Sequence, residues 1–272
     1  MPKNVFITGS SSGIGKETAL YFYNKNWNVI ATMRQPDNRK TELHRIDGID
    51  TVHLDVLDKK SIAEAVDYAI DKYQQIDVLI NNAGFAAFGP FEGLTERQIK
   101  KQFETNVFGL MDVSRQMIPF MRRQKDGVII NVSSIGGRIS FPLYSIYNSS
   151  KWAVEGFSES LLYELKPFNI KVKIVEPGII KTNFYSRSKE EPQKKIDIYN
   201  RFIKKVKDTE RENMEKGFYS HPKVVAKTIY KAANDNSYKL RYKTGRYSTL
   251  IFVLRSLLPE SLFRKIFEYI FI

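Results

Sequence analysis

Through the first two thirds of the chain, short apolar runs alternate with longer stretches in which apolar residues recur every three or four positions. The short runs fall at residues 5–8, 29–32, 51–54, 78–81, 128–132 and 172–175. They are rich in β-branched residues and nearly free of polar ones, which predicts strands covered on both faces. Between them, Ile62, Val66, Ala69, Ile70 and Tyr73 keep helical spacing, and so do Ile99, Phe103, Val107, Leu110, Ser114, Met117 and Met121. Repetition of strand and helix in this order predicts an α/β fold: a doubly wound, Rossmann-like parallel sheet with helices on both faces and ligands at the carboxyl ends of the strands. A chain of 272 residues is expected to form it as a single domain, residues 1–272.

The last third has a different texture. Residues 186–216 are densely charged but interrupted by Ile196, Ile198, Tyr199, Phe202, Ile203 and Val206, which predicts an amphipathic, mobile helical insertion after the sixth strand. Such insertions commonly serve as substrate lids, and a plain pair of surface helices is the other reading. Residues 246–272 form an apolar extension in which Leu262, Phe263, Ile266, Phe267 and Ile270 fall on one helical face, with Arg264 and Lys265 to one side. The stretch is too short to span a bilayer. It is expected to cover the substrate cleft or pack on another subunit, with peripheral contact to a membrane as the alternative.

Composition works mainly by exclusion. Hydrophobic residues make up 42% and charged residues 27%, an ordinary globular balance, and there is no cysteine for disulfide or thiol chemistry. His44, His53 and His221 are scattered without metal-ligand spacing, so no metal site is expected. The first residues enter a strand pattern without the features of a signal peptide, which fits a cytoplasmic location. The net charge of +13 is unevenly placed: residues 1–188 carry 24 basic and 20 acidic side chains, and residues 221–272 carry 10 and 3. This basic end is either a solvated face or an attractant for an anionic membrane or acidic partner. No nucleic-acid recognition motif accompanies it, so no nucleic-acid partner is expected.

Chemistry enters with the glycines. Thr8-Gly9-Ser10-Ser11-Ser12-Gly13-Ile14-Gly15 follows the first strand and opens a helix, the context that makes a glycine-rich loop a phosphate cradle. Gly9 permits the tight turn, while Gly13 and Gly15 let backbone approach a pyrophosphate and let helix pack on strand. The helix N-terminal amides and dipole then favour the anion. Further along, Tyr147 and Lys151 stand four residues apart, on one face of a helix. A nearby ammonium favours phenolate, so the Tyr147 hydroxyl is expected below its ordinary pKa of about 10, as a proton donor and acceptor.

The spacing Gly-x3-Gly-x-Gly, together with Tyr-x3-Lys, resembles the short-chain dehydrogenase/reductase family. Asn81-Asn82-Ala83-Gly84, Asn106, Ser133-Ser134, Pro177-Gly178 and Thr182 agree with it, across residues 3 to about 185. The resemblance implies an oxidoreductase that moves a hydride between a nicotinamide and a carbonyl or alcohol substrate. By the same resemblance, Ser134 hydrogen-bonds the substrate oxygen, Tyr147 transfers the proton, Lys151 holds the nicotinamide ribose, and Asn106 supports a water-linked relay. Ser133 competes for the serine role, but the thirteen-residue separation from Tyr147 assigns it to Ser134 and leaves Ser133 to strand packing. A non-catalytic, nucleotide-binding redox sensor of the same fold is the alternative, disfavoured by the intact Ser134, Tyr147 and Lys151.

The resemblance also implies the remaining cofactor contacts: Gly9, Ser11, Ser12, Gly13, Ile14 and Gly15 in the loop, Asp55 and Val56 at the adenine, and Asn82, Ala83 and Gly84 at the adenosine ribose. Ile180 and Thr182 would orient the carboxamide. At the end of the second strand the chain has Arg34 and no acid, so NADP(H) is expected in preference to NAD(H), with the guanidinium on the 2′-phosphate. A basic residue before the second glycine, common in NADP-preferring relatives, is replaced by Ser12. Phe85, Phe88, Ile135, Ile139, Phe141, Leu143, Tyr144, Phe184 and Tyr185 are the expected substrate wall. It would suit an apolar small molecule, steroid-like, retinoid-like or long-chain, and the chain is similar to the hydroxysteroid and retinol dehydrogenase branch. A homodimer or homotetramer is implied in the same way.

Overall fold

The computed structural model describes residues 2–36, 41–182, 189–194 and 196–271. Strands β1 (Asn4–Ile7), β2 (Asn28–Met33), β3 (Ile49–His53), β4 (Val78–Asn81), β5 (Gly127–Val132), β6 (Ile170–Pro177) and β7 (Arg241–Thr244) form one sheet in the order 3-2-1-4-5-6-7. Every pairing is parallel. The order reverses between β1 and β4, and a doubly wound sheet opens its crevice at such a reversal.

Alternation along each strand sorts the core into two layers. Val5 and Ile7 point to one side, where Val29, Ala19, Phe22, Val225 and Ile229 close over them. These last four come from α1 (Gly13–Tyr23) and α7 (Pro222–Asn234). Phe6 points to the other side, against Ile62, Val66, Met117 and Leu161, contributed by α2 (Lys59–Tyr73), α4 (Gly109–Gln124) and α5 (Ser145–Leu165). Lys173, fully buried in β6, is tolerated because its ammonium donates to Ala232 O at 2.8 Å and to Asp235 O, carbonyls at the end of α7.

The stripe from Ile99 to Met121 is one continuous helical path with a local change of pitch. α3 (Glu96–Phe103) passes through a π turn, Glu104–Phe108, into α4. The turn holds Asn106, and π turns of this sort concentrate at functional positions.

β7 is the strand that periodicity did not announce. Its sequence, Arg-Tyr-Lys-Thr, lacks an apolar run because it is an edge strand with only Tyr242 and Thr244 buried. It still matters for the site, since Arg241 donates to Glu155 at 3.0 Å and to Glu159 at 2.6 Å and so ties α5 to the sheet.

The expected insertion contains α6 (Asn200–Glu215) and the pair Lys189–Glu190, which forms a short parallel ladder with Ala86–Ala87. The extension forms α8 (Ser248–Leu257) and α9 (Glu260–Phe271). The single apolar face expected for α9 is divided. Phe263 and Phe267 pack inward on Ile135, Ile139 and Phe252, whereas Leu262, Ile266 and Ile270 are exposed.

Candidate active site

At the β1/β4 reversal, a polar stitch fixes the strand ends. Asn81 donates to Asn131 Oδ1 and to Ser114 Oγ, both at 2.9 Å, and Asn131 donates to Ser158 Oγ at 2.8 Å. Just beyond, the Thr8 hydroxyl accepts from Asn82 N at 3.0 Å and Ala83 N at 3.1 Å, and Asn82 Nδ2 returns bonds of 3.0 Å to Thr8 O and Gly9 O. The glycine loop is thus held by the end of β4. Gly9 has φ +70°, and a Cβ there would lie 2.8 Å from Ala83 Cα. On Gly15 a Cβ would strike the Gly9 carbonyl and the Asn82 amide, so Gly15 serves packing of helix on strand.

A cavity of about 550 Å³ opens over these strand ends. Gly9, Ser11, Ser12, Gly13 and Ile14 line it, together with Arg34, Asp55 and Val56 from just after β2 and β3. Asn82, Ala83, Gly84, Ile180 and Thr182 also line it, and so do Ser134, Tyr147 and Lys151. Among the described residues, no acidic side chain pairs with Arg34, whose carbonyl instead contacts His53 Nδ1 at 2.9 Å. A basic fork at that strand end and amides at a helix N-terminus fit a dinucleotide with an extra phosphate.

Ser134 caps a single turn at Ile135–Gly137, accepting from Gly136 N at 3.0 Å, and its side chain hydrogen-bonds Tyr147. Ser133 turns the other way: a Cβ on Gly137 would meet Ser133 Oγ at 2.6 Å and Glu155 Cγ at 3.0 Å. Lys151 Nζ sits 6.0 Å from the Tyr147 ring and donates to Val132 O at 2.8 Å.

The expected acidification of Tyr147 is not found in this state. Burial pushes the phenol up to about 12, opposed by the Ser134 hydrogen bond. Burial likewise pushes Lys151 down to about 8, with Glu155 pulling the other way. One helical turn of separation is not enough to lower the phenol's pKa, because the ammonium is itself desolvated and turned to a carbonyl.

Asn106 does not line the cavity. Its amide accepts from Phe85 N at 3.1 Å and donates to Phe85 O at 3.0 Å and Ser150 Oγ at 3.2 Å, and Ser150 donates to Tyr147 O at 2.7 Å. Its side chain therefore joins the segment after β4 to the helix that carries Tyr147.

On the substrate side, Phe85, Ile135, Phe141 and Tyr144 line the cavity as expected, while Phe88, Leu143 and Ile139 are packed behind it. Phe184 and Tyr185 lie outside the described residues. The far wall comes mostly from the two expected segments, Lys189, Val206, Glu210 and Asn213 from the insertion and Phe271 from the extension, joined by Tyr219, and what sequence reasoning missed is the charge set into it. There Glu210 accepts from Tyr144 at 2.7 Å and from Lys189 at 2.9 Å, and Lys189 stands 3.4 Å over the Phe88 ring. The wall is therefore apolar with an ion pair set into it, not uniformly apolar. Only the charge pattern of α6 could have hinted at this, and that pattern reads as a solvated face.

Residues 3–193 match the family described as short chain dehydrogenase. The chain belongs to this family. The family makes it an oxidoreductase. A 3-ketodihydrosphingosine reductase of Bacteroides thetaiotaomicron is 34% identical, over 96% of this chain and 95% of that protein. The crystal structure of a short-chain dehydrogenase from Streptomyces avermitilis superposes with TM-score 0.82 at 32% identity, covering 99% of this chain and 96% of that one. The structure of ElxO with NADP bound matches with TM-score 0.74 at 29% identity, covering 89% and 98%.

Proposed function

We propose that this short-chain dehydrogenase interconverts a carbonyl and an alcohol with NADP(H), Tyr147 passing the proton. The observation that carries the reading is the convergence of Ser134, Tyr147 and Lys151 in one cavity that is also lined by a glycine loop opening a helix. The dinucleotide would supply or accept the hydride at the substrate carbon. Arg34 would hold the 2′-phosphate, Asp55, Val56, Asn82, Ala83 and Gly84 would border the adenosine, and Ile180 and Thr182 would orient the nicotinamide carboxamide. The NADP bound to ElxO supports the cofactor choice.

The chain's own groups suit the reductive direction. A phenol pushed up to about 12 keeps its proton through neutral pH and is ready to donate it to oxygen as charge develops there. Ser134 holds that oxygen beside the phenol. Lys151 holds the nicotinamide ribose and carries its charge below about pH 8, which favours the phenolate left behind. Asn106, with its side chain committed to Phe85 and Ser150, positions the wall.

The substrate is an apolar carbonyl compound, steroid-like, retinoid-like or long-chain, with a polar group reaching the Lys189–Glu210 pair. The long-chain ketone substrate named for the Bacteroides relative is of this kind. A homodimer would use the surface of the π turn before α4 and of α5, where Phe108, Trp152 and Tyr163 are exposed.

Oxidation of NADPH followed with retinal, steroid ketones, long-chain ketones and aliphatic aldehydes tests the mechanism. Tyr147→Phe should lower kcat by about 10²- to 10⁴-fold, the span of general acid catalysis. Turnover that survives the substitution overturns the role given to Tyr147.

A further inference from the structure

The last two helices each bury one narrow face and turn a second apolar face outward. On α8, Leu250, Val253, Leu254 and Leu257 stand at i, i+3, i+4 and i+7 and are 38% to 75% exposed, while Phe252 beside them is buried. On α9, Leu262, Ile266 and Ile270 are 39% to 46% exposed and Tyr269 is 90% exposed, opposite the buried Phe263. Single exposed leucines are ordinary on protein surfaces. A full helical stripe is different, because it removes apolar surface from water only when something covers it.

Charge decides between occupants. Arg241 is already paired with Glu155 and Glu159, and beyond it residues 243–272 contain five Arg or Lys and two Glu. A second copy seated by two-fold symmetry would set this cationic segment against itself. An anionic lipid headgroup layer attracts it, and acyl chains accept the leucines. No helix among the described residues is long and apolar enough to cross a membrane, so the contact lies in the plane of the interface. The location is also informative, since Phe271 at the end of α9 lines the substrate cavity.

We propose that α8 and α9 are an interfacial anchor that seats their outward apolar face on an anionic lipid bilayer, beside the substrate cavity. The anchor stands on exposure and charge alone and does not depend on the reaction proposed above. An apolar substrate dissolved in the bilayer would then meet the cavity without crossing water.

Sedimentation of the full chain with vesicles tests this, using phosphatidylcholine alone and phosphatidylcholine containing one-third phosphatidylglycerol. The protein is expected to pellet with the anionic vesicles, to pellet much less with the neutral ones, and to be released by high salt. The double variant Leu254→Glu/Ile266→Glu alters only exposed positions. It should keep the wild-type circular dichroism and NADPH binding while its partition falls roughly tenfold or more, as loss of buried leucine-sized side chains requires. Wild-type protein that stays in the supernatant with both vesicles overturns the proposal. So does a concentration-dependent dimer, seen by analytical ultracentrifugation and lost in the double variant, without vesicle binding; the face is then a subunit interface. Loss of NADPH turnover with vesicle binding intact would count against the proposed reaction and leave the anchor standing.

Discussion

Arg34→Ala is the substitution that separates the two nicotinamide cofactors. Arg34 lies just past the end of β2, lines the cavity, and has no acidic partner among the described residues, so its guanidinium is available to a phosphate. A hydrogen bond between charged groups is worth about 1.5–3 kcal/mol net. Arg34 is exposed, so solvent screening holds the whole fork within that range rather than doubling it. That corresponds to roughly 10- to 150-fold in affinity for NADPH. NADH lacks the phosphate and should change little. Binding is read from cofactor fluorescence and from the Michaelis constants of both cofactors at low and moderate salt. The wild-type preference should shrink as salt screens the pair, and Arg34→Ala should show little preference to screen. Equal weakening of both cofactors would refute the assignment, because it would mean that Arg34 shapes the pocket without reading the phosphate.

Two more outcomes follow from groups that the motifs do not include. Glu176 is fully buried in β6, neither of its oxygens has a hydrogen-bond partner among the described residues, and Arg138 approaches only to 3.6 Å. Burial, with Glu155 adding to it, pushes the carboxyl from its ordinary 4.5 up to about 7. A carboxyl raised on folding binds its proton more tightly in the native state, so stability is lost as pH rises from about 4.5 to about 7. Glu176→Gln should remove that loss, on the order of 3 kcal/mol in urea unfolding at pH 8 and little at pH 4.5; an equal effect at both pH values contradicts the protonation argument. Glu210→Gln should leave turnover of plain aliphatic ketones close to wild type and cost roughly tenfold in kcat/KM for ketones that carry a hydroxyl. A uniform loss across both sets would make the Lys189–Glu210 pair a tether for α6 and nothing more.

How far the chain could be read in advance differed from one part to the next. The five inner strands were legible because strands buried on both faces must be largely apolar, a constraint that acts locally, whereas β3, at the other edge with only Ile49 buried, was found through its Thr51–Leu54 run. β7 was not, because an edge strand such as Arg241–Thr244 buries only two of its side chains and its pairing with β6 is a long-range fact. In the site, the glycines, Ser134, Tyr147 and Lys151 could be named because their spacing is their chemistry. Glu210 and Lys189 could not, since nothing in a charged helix and a short strand says that the two will meet inside a cavity.

Taken alone, the order of residues determined the layer architecture and singled out the glycine loop proposed as a phosphate cradle and the tyrosine proposed to carry the proton. These follow from periodicity and from distances of a few residues, which a helix or turn converts directly into geometry. The tertiary structure decided what those groups experience. Whether Tyr147 is made more or less acidic depends on how completely its wall is closed, by elements up to Phe271. It also decided which face of α9 is core, because Phe263 and Leu262 are neighbours in sequence and only the packing of Ile135, Ile139 and Phe252 tells them apart. Burial is a property of the whole chain, and desolvation, the largest influence on both Tyr147 and Lys151, exists only once the chain has closed around them.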